Sequence, residues 1–412
     1  MLPFRLPSPL APRHVVLAMH CLLLSCSSLK QAEAVPEGLT CSELLDGGTD
    51  ASALEPTLAS APAGSCVIVS GEYKGAFVVP PGVTVASPTG KRAIFHGTDA
   101  KNPALLLQGA KGSGLQSVSV LVSQGIGVAI RGGPVVVRDV TVEQAASAAM
   151  TVSPPSVACT TDCDGSEVSL TRVSLRASKL GLFVRGMPVA VRDSDVSDNT
   201  SRGALTGGGG IVATEGARLL LLSSRVERND GIGVLLDGER TQGMLENATV
   251  SFNSDRGIWA QKLAGSLENP SLVITGADTV IDSNRFAGVG AIRSRGLLLR
   301  DALIRNTIAT VAVTHLAAPG EQVGDGLGLY DRTGAVTASA LRFQQNGRAA
   351  ALIDSPSDAV TLAASLEREA LGVVVQRATI EPTVDQALRS TPERELGVSA
   401  PQIGVVPYDA AP

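Results

Sequence analysis

One motif recurs through the second half of this chain and leaves it very few folds. Asn199, Asn229, Asn253, Asn284, Asn306 and Asn346 each stand three residues after an apolar one: Val196, Val226, Val250, Ile281, Leu303 and Phe343. Four residues after each comes a small residue: Gly203, Gly233, Gly257, Gly288, Thr310 and Ala350. A short apolar segment then begins, with Val234 and Leu236 or Ile258 and Ala260 at its alternate positions. Asn284 and Asn306 are 22 residues apart and Asn229 and Asn253 are 24 apart, the spacing of a solenoid. Between the turns lie stretches such as "ARLLLLSSRV" and "SLVITGADTVI", rich in Leu and β-branched residues and broken by Gly, which read as short strands. A leucine-rich repeat of this length needs its own Leu and Asn signature, and that is missing. Three short strands and three turns per coil remain. The prediction is an all-β, single-domain parallel β-helix of roughly ten coils.

Within such a coil each residue type has a task. Asn tolerates the left-handed region better than other non-glycine residues, so it suits the turn between strands. Stacked coil on coil, the six amides predict a hydrogen-bonded ladder. The following Gly is expected to let the chain swing into the next strand, and alternate Val, Leu and Ile fill a narrow interior. The composition agrees. The chain is 44% hydrophobic but 3% aromatic, with a single Trp, so its interior must be layered from aliphatic residues.

Upstream, "APAGSCVIVSGEYKGAFVVPPGVTV" (Ala61 to Val85) places Gly-Ser before a strand and Gly-x-Tyr after it. With the Asn motif, this segment resembles the first coil of the pectin lyase-like superfamily of right-handed parallel β-helices. The similarity runs over residues 64–378. The resemblance implies a capping helix in "TDASALEPTLASA", with Thr49 or Asp50 at its N-cap, Leu54 and Leu58 on one face and Pro56 limiting its length. Residues 35–63 then form the N-terminal cap. Residues 379–412 form a C-terminal cap, with a short helix in "TVDQALRSTPEREL" and a flexible tail. Residues 1–34 read as an export signal: Arg5, Arg13 and His14 precede an apolar run from Val15 to Leu24. Two cleavage readings stand side by side, a lipoprotein box ending in Cys26 and an A-x-A site ending at Ala34. The first puts a lipid anchor at the outer membrane or cell surface; the second gives a periplasmic or secreted protein.

An oxidising compartment predicts disulfides among Cys41, Cys66, Cys159 and Cys163, and the sequence-local pairing is Cys41–Cys66 with Cys159–Cys163. The net charge of −5 with interspersed signs carries no basic stripe, which argues against a nucleic-acid partner. Nothing fixes an oligomeric state.

Extra residues gather after the strand that follows each Asn turn: "DGERTQG" (237–243), "QKLAGSLENP" (261–270) and "HLAAPGEQVGDGLGLYDRTG" (315–334). Insertions at one point of a coil stack along one side, which marks the binding face. Outward positions beside it are Leu205, Leu235, Trp259, Gly290, Ala312 and Leu352. Trp259, with Lys262 and Tyr330 near it, is a candidate sugar platform, or else it packs under the 261–270 loop. His315, Glu321, Asp325, Asp331 and Arg332 are candidates for acid–base chemistry or calcium. Asp162, Asp164 and Glu167 form a second acidic loop able to hold calcium, without the spacing of a calcium-loop motif. Asp193, Asp195 and Asp198 fall opposite Ser223, Arg225 and Arg228 one coil on and read as a charge ladder rather than a metal site. No cofactor is required by any motif.

Two functions follow. The first is a surface-anchored, non-catalytic β-helix that presents its loop face to a polysaccharide or a cell-surface protein. The alternative is a polysaccharide-active enzyme on the same face, as the superfamily resemblance implies, of pectate lyase-like or glycoside hydrolase-like type.

Overall fold

The computed structural model describes residues 40–155, 167–200, 209–311 and 321–398. The export signal with Cys26, and the Cys159–Cys163 pair, lie outside the described residues. Strand Glu43–Asp46 pairs in parallel with Ser65–Ile68, and Cys41 is bonded to Cys66, so the solenoid begins before its helix and not at residue 64. The helix Ala51–Ser60 is capped by Asp50, whose side chain accepts from the Ala53 amide at 3.1 Å. It buries Leu54 and Leu58, and it continues past Pro56. Beneath it Tyr73 stacks on Phe95 at 5.0 Å, with Phe77 edge-on to both, so three of the few aromatic rings stand near the start of the solenoid.

Each coil then contributes two strands to a broad sheet of 24 strands and one to a narrow sheet of 13. The coil from Ile232 shows the plan. Ile232–Asp237 lies in the narrow sheet, Gln242–Glu246 and Thr249–Ser251 lie in the broad one, and Ile258–Gln261 returns to the narrow sheet one coil on. All pairings between coils are parallel; Thr310–Val311 alone, among the described residues, pairs antiparallel, with Gln322–Tyr330. Val226, Val234, Leu236, Leu245 and Val250 are fully buried in the interior between the sheets, each such side chain stabilising by about 1.5–3 kcal/mol. The far end is closed by Thr383–Val384 and the 3-10 turn Gln386–Leu388, where a helix was expected.

The ladder exists, with a different register from the one read in the sequence. Asn199 Nδ2 donates to Asn229 Oδ1 (2.8 Å), Asn229 to Asn253 (3.0 Å) and Asn253 to Asn284 (2.9 Å). Each Oδ1 in these bonds also accepts the backbone N–H of the preceding rung. The next rung is Thr307, not Asn306: its hydroxyl donates to Asn346 Oδ1 at 2.7 Å. Asn346 in turn donates from its amide and side chain to Glu369. The ladder residues are buried and do not take the left-handed turn. That conformation belongs to the residue before each one, Asp198, Arg228, Phe252, Ser283 and Gln345, all with φ between 53° and 56°. Asn306 occupies this position too (φ 51°), which is why it is absent from the ladder.

The motif glycine also has a different reason. Gly233, Gly257 and Gly288 are not left-handed. A Cβ on Gly233 would stand 2.7 Å from Asn253 Nδ2 and 2.6 Å from the Gly257 carbonyl, so the ladder itself excludes a side chain there. Pairing identifies the equivalent glycines in two coils as Gly210 and Gly326, in place of Gly203 and Thr310. Asn199 and Gly210 are 11 residues apart and Thr307 and Gly326 are 19 apart, against four between Asn229 and Gly233, so extra residues also fall before the narrow-sheet strand.

Candidate functional site

Val78, in an early coil, is half exposed, but from Ala129 to Val374 the outward residues of the narrow sheet are buried. Phe183, Val212, Leu235, Trp259, Tyr330, Leu352 and Val374 form a second buried apolar cluster outside the solenoid interior, and Val398 from the C-terminal segment joins them. Trp259 lies on this face, and of its two readings the open platform is set aside, because the ring is fully buried. Its ring lies over Gly290, where a Cβ would sit 2.2 Å from the indole. Tyr330, which the sequence reading put in the long insertion, ends the strand Gln322–Tyr330 and folds back across Gly328 in the same manner, with only 1.9 Å between a Cβ there and the phenol oxygen. The two rings are 6.1 Å apart. Gly290 and Gly328 thus act as floor for two aromatic side chains, in a column where the flanking coils carry Leu235, Trp259 and Leu352.

Charged groups surround the rings. The Arg256 guanidinium stacks 4.5 Å above the Trp259 ring and 5.1 Å from the Phe286 ring while pairing with Asp255. Trp259 Nε1 donates to Gln261, whose own amide donates to Asp237 at 2.8 Å. Asp325, fully buried, accepts from Arg348 at both oxygens (2.9 and 2.6 Å) and from the Tyr330 hydroxyl at 3.1 Å. Arg348 also reaches Glu321 at 3.4 Å. Burial, reinforced by the Asp325 charge, holds the Tyr330 phenol well above its ordinary pKa. Burial opposes the Arg348 charge, yet Asp325 outweighs it and keeps the guanidinium firmly protonated. A buried bidentate pair of this kind is costly to break from one side.

The expected site residues therefore separate into two places. Glu321, Asp325, Tyr330 and Trp259 converge. Asp331 and Arg332 stand at the following corner with left-handed backbones, where Asp331 pairs with Arg293 at 2.7 Å. Lys262 is at the equivalent corner two coils before, with its amine 4.0 Å from Asp237. His315, Asp162 and Asp164 lie outside the described residues; Glu167 pairs with Arg192 at 3.2 Å. Asp198 and Arg228 form a two-bonded pair at 2.9 and 3.1 Å that draws the Asp198 carboxyl below its usual range, as a charge ladder requires. Among the described residues no three metal-ligating side chains come together. Sequence reading missed Arg256 and Arg348, which no local pattern marks.

Residues 124–308 match the family model of the right-handed β-helix region. Among solved structures the chain is similar to the A-module of mannuronan C-5 epimerase AlgE6 from Azotobacter vinelandii, at 12% identity over 84% of this chain and 97% of that one, with a TM-score of 0.49. It is also similar to an alginate lyase from Paenibacillus sp. (12% identity, 84% and 100% covered, TM-score 0.35) and to pectate lyase Pel9A (12%, 86% and 82%, TM-score 0.33). No curated protein matches the sequence. By its strand pairing the chain is a parallel β-helix, and the family match over residues 124–308 makes it a right-handed one.

Proposed function

We propose that the protein is a polysaccharide-active β-helix that takes an acidic glycan on the outer face of the narrow sheet. One observation carries this reading: two arginines, a phenol and a carboxylate converge around the Trp259 and Tyr330 rings on a single sheet face. The Trp259 and Tyr330 rings are fully buried in this structure and would offer a sugar-stacking surface once the face is opened. Arg256 and Arg348 offer partners for a uronate carboxylate. The Tyr330 phenol, held protonated by burial, can donate a hydrogen bond to a glycan oxygen. The signal at residues 1–34 supports an exported protein, and Cys26 would carry its lipid; the mass of the mature chain from a native host decides between Cys26 and Ala34.

A second reading, binding without chemistry, draws on the same cluster. Asp325 has both oxygens engaged by Arg348, and Tyr330 already donates to it. The two readings part in one assay. Wild-type and Tyr330→Phe proteins are incubated with pectate, alginate and other uronate polymers. Unsaturated or reducing ends, or altered uronate stereochemistry by NMR, are followed alongside binding. Product that falls about a hundredfold or more with Tyr330→Phe supports the enzyme. Binding without product supports the second reading, and neither, with the face opened as described next, removes both.

A further inference from the structure

Part of the candidate face, at Glu321 and Arg348, is covered by a piece of the chain that the fold does not need for closure. The interior is already capped by Val384 and Leu388, and Ser390 is the last described residue to make a backbone bond to the solenoid, donating to the Val373 carbonyl at 2.9 Å. Beyond it, Thr391, Glu393, Arg394 and Glu395 are exposed. The chain then comes down on the outer face at Leu396–Val398, where side chains hold it. Gln376 binds both polar groups of the Leu396 backbone, accepting its N–H and donating to its carbonyl, each at 2.9 Å. Glu321 accepts the Gly397 N–H at 2.6 Å, and Arg348 donates to the Gly397 carbonyl at 2.7 Å. Val398 buries its side chain in the outer apolar cluster.

These contacts have the character of ligand recognition. An amide, a carboxylate and a guanidinium read a backbone, and two of the three belong to the Asp325–Tyr330 network. A few hydrogen bonds, the buried Val398 and the partly buried Leu396 hold the segment, so it is among the more easily opened parts of the molecule. We propose that Leu396–Val398 is an autoinhibitory strap. It occupies the groups that a glycan would meet, and cleavage or displacement of the exposed linker Thr391–Glu395 frees the face. The proposal rests on the polysaccharide reading of that face. It assigns the linker as a regulatory protease site, with Arg394 the exposed basic residue at which a trypsin-like enzyme would cut.

The test uses the full chain with a site-specific protease sequence placed in the linker, folded first and cut afterwards. A second variant ends at Glu395. Titration calorimetry with polygalacturonate and with alginate compares uncut, cut and shortened proteins, and circular dichroism checks that each is folded. A strap closed for about nine-tenths of the time weakens apparent affinity about tenfold, so cutting should tighten binding by that factor. Equal binding by cut and uncut protein overturns the strap and leaves the polysaccharide reading intact. No binding by any form overturns both.

Discussion

Tyr330 lies so closely across Gly328 that a single methyl group at position 328 would meet the phenol oxygen at 1.9 Å. The glycine is therefore part of how the tyrosine reaches Asp325. Gly328→Ala should push the ring off the sheet, break its bond to Asp325 and destabilise the protein by about 1–3 kcal/mol, the usual penalty of overpacking. Denaturant titration measures the loss. Gly328→Ala with a wild-type unfolding midpoint would show that the ring is not held there.

Asn253 and Asn306 look alike in sequence, and the structure gives them different work. Asn253 links the rungs on either side and is buried. Asn253→Ala should cost about 2–3 kcal/mol, since it strands buried donors and acceptors. Asn306→Ala loses one partly buried bond to Asp282 and should cost under about 1 kcal/mol. Equal costs would return Asn306 to the ladder.

The last rung is titratable. Burial raises the Glu369 pKa from the ordinary 4.5 to about 7, while its bonds from Asn346 work the other way. The folded state therefore holds a proton that the unfolded chain releases, and stability falls as pH rises between about 4.5 and 7. Glu369 is only half-buried, so solvent screening reduces the effect to about 1–2 kcal/mol. Thermal melts at pH 5 and pH 8 should differ for the wild type, and Glu369→Gln should reduce the difference.

Two arginine–aspartate pairs of similar geometry should respond in opposite ways. Arg348→Met leaves Asp325 buried without its partner and should cost about 3–5 kcal/mol. Arg228→Ala, in a pair half open to water, should change stability by about 0.5 kcal/mol or less. Similar effects at both would mean that Asp325 is hydrated in solution.

The repeat made the fold legible because its periodicity is a local property. Coil length, strand positions, the inward column and the cap helix with Leu54 and Leu58 all follow from residues near one another in sequence. Register failed at Asn306 because Asn serves two adjacent positions, the left-handed turn and the ladder, and pattern alone does not tell them apart. The following coil failed with it, since the strand resumes at Gly326 after an excursion. The site was half legible. Trp259, Asp325 and Tyr330 stood out by type and by their neighbouring insertions. Arg348 and the strap could not, because they reach the cluster from a later coil and from the chain end.

The excursion between Thr307 and Gly326 carries a consequence for how such a molecule can change over generations. The ladder steps from Thr307 to Asn346 as if nothing intervened, and the strand at Gly326 pairs in register with Gly288. Chain added at this seam leaves the hydrogen-bonded spine undisturbed. A lineage can lengthen, shorten or replace that stretch freely, acquiring new specificities on an unaltered frame.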